Sequence, residues 1–153
     1  MNEYKYSFPM PCLTSDVVII KNGKILLIER GREKEPFYQC WAIPGGFVNQ
    51  YESPESAAAR ELLEETNLNV IDLEKAGAVF KHFGIYGKEG RDPRGWVVSC
   101  VYVCVVPCDV QLTTIALDDA KSIKWFDLHR LPQLAFDHEE IITDILKKGI
   151  ESL

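Results

Sequence analysis

The chain has 153 residues, 46% hydrophobic and 26% charged, a composition that excludes a disordered or fibrous polypeptide and suffices for one core-bearing domain spanning 1–153. Its formal net charge of −6 weighs against sequence-independent nucleic-acid binding, which needs a basic surface, but leaves an anionic substrate open because a bound cation inverts local charge. The first residues lack the apolar run of a signal peptide, and no apolar stretch approaches the roughly 20 residues of a membrane span. These features predict a soluble cytoplasmic protein with neither nucleic-acid nor membrane partners. Five cysteines, Cys12, Cys40, Cys100, Cys104 and Cys108, include no close CxxC pair and read as free thiols in a reducing compartment.

Pro9 and Pro11 hold the start of the chain extended or in turns. Residues 16–20, DVVII, form a strand; Asn22-Gly23 signals a hairpin turn; residues 24–30, KILLIER, form the return strand. Both runs are apolar enough for burial on two faces of a sheet. A polar loop over 31–39 leads to a short strand over 40–43, ended by Pro44, and Gly45-Gly46 follows as a turn. Ser53 and Pro54 open a helix with a favoured N-cap and a favoured first residue, and Asn67 closes it. An extended segment over 68–73 precedes a strand over 78–86. A charged loop, KEGRDPRG, spans 88–95. A long apolar strand covers 96–106, a loop over 111–120 carries Asp118 and Asp119, and 121–126 is a further strand. A short helical turn is expected over 128–131. Asp137 with Glu140 three residues on forms a capping-box arrangement for a last helix, with Ile141, Ile142, Ile145 and Leu146 on its apolar face. One helix mid-chain and one at the end, among many strands, predict an α/β (α+β) fold with a mixed sheet covered on two sides.

The helix over 54–66 carries an unusual charge pattern. At about 100° per residue, with Glu61 at zero, Glu65 falls at about +40° and Glu64 at about −60°. Ala57 falls among these carboxylates and keeps their face open, while Ala58, Ala59, Leu62, Leu63 and Thr66 fill the other. Like charges three and four residues apart oppose helix formation. A divalent cation turns that repulsion into a binding site, since hard cations take oxygen ligands.

Gly46, Glu52 and the run Arg60-Glu61-Leu62-Leu63-Glu64-Glu65-Thr66-Asn67-Leu68 stand at the spacing of the Nudix box, which this stretch resembles at every signature position except the last glycine, here Asn67. The resemblance implies a Nudix-type α/β/α sandwich with a central mixed β-sheet. It also implies a loop–helix–loop that binds Mg²⁺ or Mn²⁺ and hydrolyses a nucleoside diphosphate linked to another moiety. Carried over by position, Glu61 and Glu65 are the main metal ligands, Glu64 is a further ligand and the Gly46 carbonyl completes the set. Arg60 and Glu64, four residues apart, are expected to pair and orient the cluster. Glu52 is expected near Arg60 or the metal's water. The general base is Glu64, or an acidic residue on a later loop, for which Asp118 and Asp119 are the candidates and Glu89 a weaker one.

The stretch Gly90-Arg91-Asp92-Pro93-Arg94-Gly95 is similar to one in ADP-ribose pyrophosphatases and in related regulators of NAD metabolism, as is Leu134-Ala135-Phe136-Asp137-His138. The substrate this implies is a small nucleotide, ADP-ribose above all; modified nucleoside triphosphates or dinucleoside polyphosphates are the alternatives. Arg30, Arg91 and Arg94 are candidates for phosphate contact through bidentate guanidinium bonds, although Arg94 has an acidic neighbour with which it can pair structurally. Phe8, Phe37 and Tyr38 are candidates for stacking on adenine. The regulators carry a winged helix-turn-helix domain after a Nudix-like domain whose box is often damaged. Here the last predicted helix ends near Lys148 and the box is nearly whole, so an enzyme is expected over a sensor. Many Nudix relatives are dimers, which makes a homodimer the corresponding expectation.

Overall fold

The computed structural model describes residues 5–117 and 120–153. The strand pair expected at the centre is there, and longer. β1 (Cys12–Lys21) turns through Asn22 and Gly23 into β2 (Lys24–Arg30). Both turn residues have positive φ, 52° and 68°, as a two-residue turn matched to strand twist requires. β1 and β2 pair only beside that turn, at Ile20↔Ile25 and Lys21↔Lys24. Beyond it they splay. β1 continues against β6 (Val97–Val105), in parallel, and against β4 (Gly45–Phe47), antiparallel. β2 continues against β7 (Ala120–Asp127) and β3 (Trp41–Ala42). β5 (Val79–Tyr86) closes the far edge on β6. The sheet is therefore mixed, and its central hairpin is open at one end. The chain from Trp41 to Phe47 crosses the opening.

Alternation along β1 divides the core. Val17 and Ile19 face α1 (Pro54–Thr66) and α2 (Val70–Lys75), where they meet Ala58, Leu62, Leu68, Val70 and Leu73. Val18 and Ile20 face α3 (His138–Lys148), where they meet Ile141, Ile142 and Ile145. The expected α/β/α sandwich is realised.

α1 starts and stops as its sequence dictates. The Ser53 hydroxyl accepts from the Ser56 N–H at 3.1 Å, Pro54 leads, and Asn67 takes the left-handed conformation with its N–H donating to the Leu63 carbonyl. The helical wheel is corrected at two places. Leu63 is 40% exposed rather than packed, and Ala57 is fully buried rather than standing in an open face. The buried stripe of α1 is thus rotated toward Glu65, because this helix packs on β4 as well as on the sheet centre.

Other expectations are overturned. The segment over 68–73 is not extended. Asn69 caps α2, its side-chain oxygen accepting from the Asp72 N–H, and Val70 and Leu73 anchor the helix three residues apart. Gly45-Gly46 is strand β4, not a turn, and the strand expected over 40–43 shortens to two residues. Asp137 precedes α3 but makes no side-chain capping bond; its carboxylate is committed to Arg91. Residues 128–129 form a plain turn. Cys108 lies beyond the end of β6, and all five cysteines are free. No helix among the described residues is long and apolar enough to cross a membrane.

Candidate active site

Where the central hairpin splays, a cleft of about 320 Å³ opens, within the size range of small-molecule sites. One wall is α1 with β4. Glu65 is only 6% exposed, and its carboxylate accepts from the Gly45 N–H at 2.9 Å. Glu61 and Glu64 line the same cleft. Arg60 ties this wall together. Its Nε and Nη2 donate to the two oxygens of Glu52 at 2.8 and 2.9 Å, and its Nη1 donates to Glu61 at 2.6 Å and Glu64 at 3.1 Å. Nη2 also donates to the Phe47 carbonyl at 3.0 Å, which fixes the loop before α1 to the helix. The expected pairing of Arg60 with Glu64, and the placement of Glu52 beside Arg60, both hold. The Arg60 guanidinium and the Asn49 N–H hold the Glu52 carboxyl down at about 2.

Two adjacent glycines bring the β4 backbone against this wall. A Cβ on Gly46 would stand 2.4 Å from the Glu61 carboxylate, and one on Gly45 would stand 2.2 Å from Asp16 Oδ1 and 2.4 Å from the Ser15 carbonyl. The first approach leaves the Gly46 main chain lying on a carboxylate with nothing between. Among the described residues no three His, Cys, Asp or Glu side chains form a ready metal cluster, and Arg60 holds two of the three helix carboxylates. The donor set nevertheless fits a hard divalent cation: carboxylate oxygens from α1 beside an unobstructed glycine backbone.

The opposite wall carries the arginines. All three sequence candidates line the cleft. Arg30 donates through Nε to the Pro36 carbonyl at 3.1 Å and through Nη2 to Glu35 at 2.9 Å. Arg91 is almost fully buried and forms a bidentate pair with Asp137, at 2.8 and 2.7 Å. Arg94 pairs with Asp92 through Nε and Nη2, as its sequence neighbourhood allows, and stacks on Phe47 and Phe136. None of the aromatic candidates Phe8, Phe37 and Tyr38 lines the cleft, although Phe37 packs on Phe136, which does. Glu89 lies outside it as well. Asp118 and Asp119 lie outside the described residues.

Sequence reasoning missed two buried groups at the cleft floor. Asp16, on β1, accepts from the Ser99 hydroxyl, and burial pushes its carboxyl up to about 6. A carboxylate opening the otherwise apolar run DVVII was the available signal. His138 accepts at Nδ1 from the Ile43 N–H at 3.0 Å, and burial pushes its imidazole down to about 3, so it is neutral. It locks α3 to the crossing segment. Phe47, Phe136 and Asp92 were also given no role; Phe47 ends β4, a strand read as a turn, and Phe136 and Asp92 are placed by loop conformations that periodicity does not encode.

Residues 10–145 match the family model of the NUDIX domain. The chain is 43% identical over 138 residues to an ADP-ribose pyrophosphatase of Methanocaldococcus jannaschii, covering 90% of this chain and 74% of that protein. It is 31% identical over 146 residues to the ADPR-responsive transcriptional repressor NtrR of Acinetobacter baylyi, covering 90% of this chain and 54% of the repressor. Among solved structures, a bifunctional NMN adenylyltransferase/ADP-ribose pyrophosphatase of Francisella tularensis, complexed with AMP and an Mn ion, superposes with TM-score 0.79 at 31% identity. That likeness covers 94% of this chain and 43% of the other. The NUDIX domain of Shewanella oneidensis NrtR, complexed with ADP-ribose, superposes with TM-score 0.78 at 28% identity, over 96% and 94% of the two chains.

Proposed function

The chain belongs to the Nudix family, and from that premise we propose that it is a divalent-metal-dependent pyrophosphohydrolase that cleaves ADP-ribose to AMP and ribose 5-phosphate. The single observation that carries the reading is the cleft itself, which sets the box carboxylates Glu61, Glu64 and Glu65 across from Arg30, Arg91 and Arg94. The oxygen of water bonds to one phosphorus of the diphosphate, and the bridging P–O bond breaks with its electron pair on the departing phosphate oxygen. The proton lost by water passes to a carboxylate and then to solvent, so that two phosphate monoesters remain.

Each wall has a distinct task in this reaction. Glu61 and Glu65, with the Gly46 carbonyl, hold Mg²⁺ or Mn²⁺; when bound, the cation neutralises phosphate charge and makes water more acidic. Buried Glu65 is fixed by the Gly45 N–H, so its position does not depend on the ligand. Arg60 sets the Glu61 and Glu64 rotamers, which limits the reorganisation that catalysis needs. Glu64 is the most exposed of the three carboxylates and accepts the proton from attacking water. Arg30 and Arg94 draw the diphosphate to the opposite wall, where guanidinium N–H donors match phosphate oxygens. Arg91 orients the loop by its buried pair with Asp137.

A chain with catalytic carboxylates turns substrate over, while a sensor of the NtrR kind needs only to bind. Incubating the protein with ADP-ribose and Mg²⁺, beside a panel of nucleoside triphosphates and dinucleoside polyphosphates, separates the readings. AMP release from ADP-ribose above the panel supports this one. Preferential cleavage of a triphosphate refutes the substrate, and tight ADP-ribose binding without hydrolysis refutes the enzyme.

A further inference from the structure

Two of the cleft arginines touch one aromatic ring. The guanidinium carbon of Arg30 lies 4.9 Å from the centroid of Phe136, and that of Arg94 lies 5.3 Å from it. The backbone at Phe136 has φ of 53°, in the left-handed region that a bulky side chain adopts only where its surroundings impose it. The surroundings do so here. On one side the Ala135 N–H donates to the Trp41 carbonyl at 2.8 Å, and on the other buried His138 accepts from the Ile43 N–H. The fold thus holds an unfavourable backbone conformation at the residue whose ring enters the cleft.

We propose that Phe136 is a positioning residue that keeps Arg30 and Arg94 as a preformed clamp for the substrate diphosphate. A guanidinium donates hydrogen bonds in its plane and presents weakly hydrated faces above and below. The Pro36 carbonyl accepts from Nε of Arg30 and Glu35 from its Nη2, and Asp92 accepts from the same two atoms of Arg94. Those bonds use one edge of each group and leave rotation about that edge undetermined. The ring supplies the missing constraint for Arg30 by contact with the face, shares that task for Arg94 with Phe47 at 4.8 Å, and attracts both cations as well. Neither arginine spends Nη1 on these bonds. Ordering a long side chain only when ligand arrives weakens binding by roughly two- to tenfold for each side chain, so two prepositioned arginines are worth about four- to a hundredfold.

The proposal rests on the reading of the cleft as an ADP-ribose hydrolase site, and its test keeps the two apart. Affinity for ADP and for adenosine is measured by calorimetry on the wild type, Phe136→Leu and Phe136→Trp, alongside ADP-ribose kinetics and melting temperature. Phe136→Leu keeps apolar volume and removes the aromatic face; Phe136→Trp restores that face. The clamp predicts about tenfold weaker ADP binding and a similar rise in KM for Phe136→Leu, with kcat changed less than threefold. Phe136→Trp returns both toward wild type, and adenosine affinity is unchanged throughout. Equal ADP affinity in wild type and Phe136→Leu overturns the clamp. So does a parallel loss of adenosine affinity, which assigns the ring to the base, or a failure of Phe136→Trp to rescue a well-folded protein. Wild type that binds ADP yet leaves ADP-ribose intact sinks the hydrolase reading while the clamp stands.

Discussion

Gly45 and Gly46 are neighbours with the same side chain, yet substituting alanine at each should produce different failures. At Gly46 the new methyl would sit 2.4 Å from the Glu61 carboxylate, which is the far end of a flexible side chain. Ordinary contact needs about 3.4 Å or more, so the carboxylate must retreat by about 1 Å. A displacement of that size at a reacting centre costs on the order of 10²-fold in rate. The fold has an outlet, because the Glu61 carboxylate ends a flexible side chain, bonded to the equally flexible guanidinium of Arg60. At Gly45 the methyl meets the Ser15 carbonyl at 2.4 Å and Asp16 Cα at 2.8 Å, both backbone atoms of the central strand. No rotamer relieves that contact, and the expected loss is about 1–3 kcal/mol or more, from forcing β4 off β1. Thermal melts and steady-state AMP release on both variants read the contrast. Gly46→Ala should melt near wild type with activity down about a hundredfold, while Gly45→Ala should lose stability first. A fully active Gly46→Ala would refute the placement of Glu61 at the reacting centre, and a Gly45→Ala as stable as wild type would refute the packing of β4 on β1.

Neighbouring faces of α1 should separate in the same way. Glu65→Gln keeps an acceptor for the Gly45 N–H, so the fold should survive while activity falls by orders of magnitude; Leu62→Ala, in the core, should cost about 2–5 kcal/mol by urea unfolding. Chelation with EDTA should abolish ADP-ribose hydrolysis, with added Mg²⁺ or Mn²⁺ restoring it; activity that persists in EDTA would contradict the assigned carboxylate roles. The two buried cleft groups should oppose one another in pH. The His138 imidazole is depressed from 6.5 to about 3, so its contribution to stability is present above 6.5 and is lost as pH falls toward 3. The Asp16 carboxyl is raised from 3.8 to about 6, so its contribution is present below 3.8 and is lost as pH rises through 6. Between pH 7.5 and 5 the His138 change amounts to about 2 kcal/mol and the Asp16 change to about 1.4 kcal/mol, with opposite sign, so that all but about 0.6 kcal/mol cancels. Wild-type stability should therefore be nearly flat over that range, Asp16→Asn should become less stable on acidification, and His138→Gln more stable. Parallel profiles for the three proteins would show that these burials do not govern the response.

The legible part of this molecule was local. Ser53, Pro54 and Asn67 mark both ends of α1 because caps act within one turn, and Asn22-Gly23 marks the hairpin because only a few residues accept positive φ there. The box carboxylates share a helix face, so spacing alone brought them together. The opposite wall was legible only as a set of residue types. Arg91 finds Asp137 across 46 positions, a pairing that also removes Asp137 from its expected capping role. β4 was unreadable because Gly45 and Gly46 suit a turn equally well; what makes them a strand is the splay of β1 from β2, which leaves an edge to be paired. α2 is six residues long and rich in strand-forming side chains, so its helicity depends on Asn69 and on Val70 and Leu73 reaching the core.

The central claim is that this cleft hydrolyses the diphosphate of ADP-ribose, and phosphorus NMR of ADP-ribose incubated with the protein and Mg²⁺ tests it most directly. The account predicts that the diphosphate resonances disappear and two phosphate monoester resonances grow in equal amounts, one from AMP and one from ribose 5-phosphate. Diphosphate resonances that broaden on binding but keep their full intensity would contradict it.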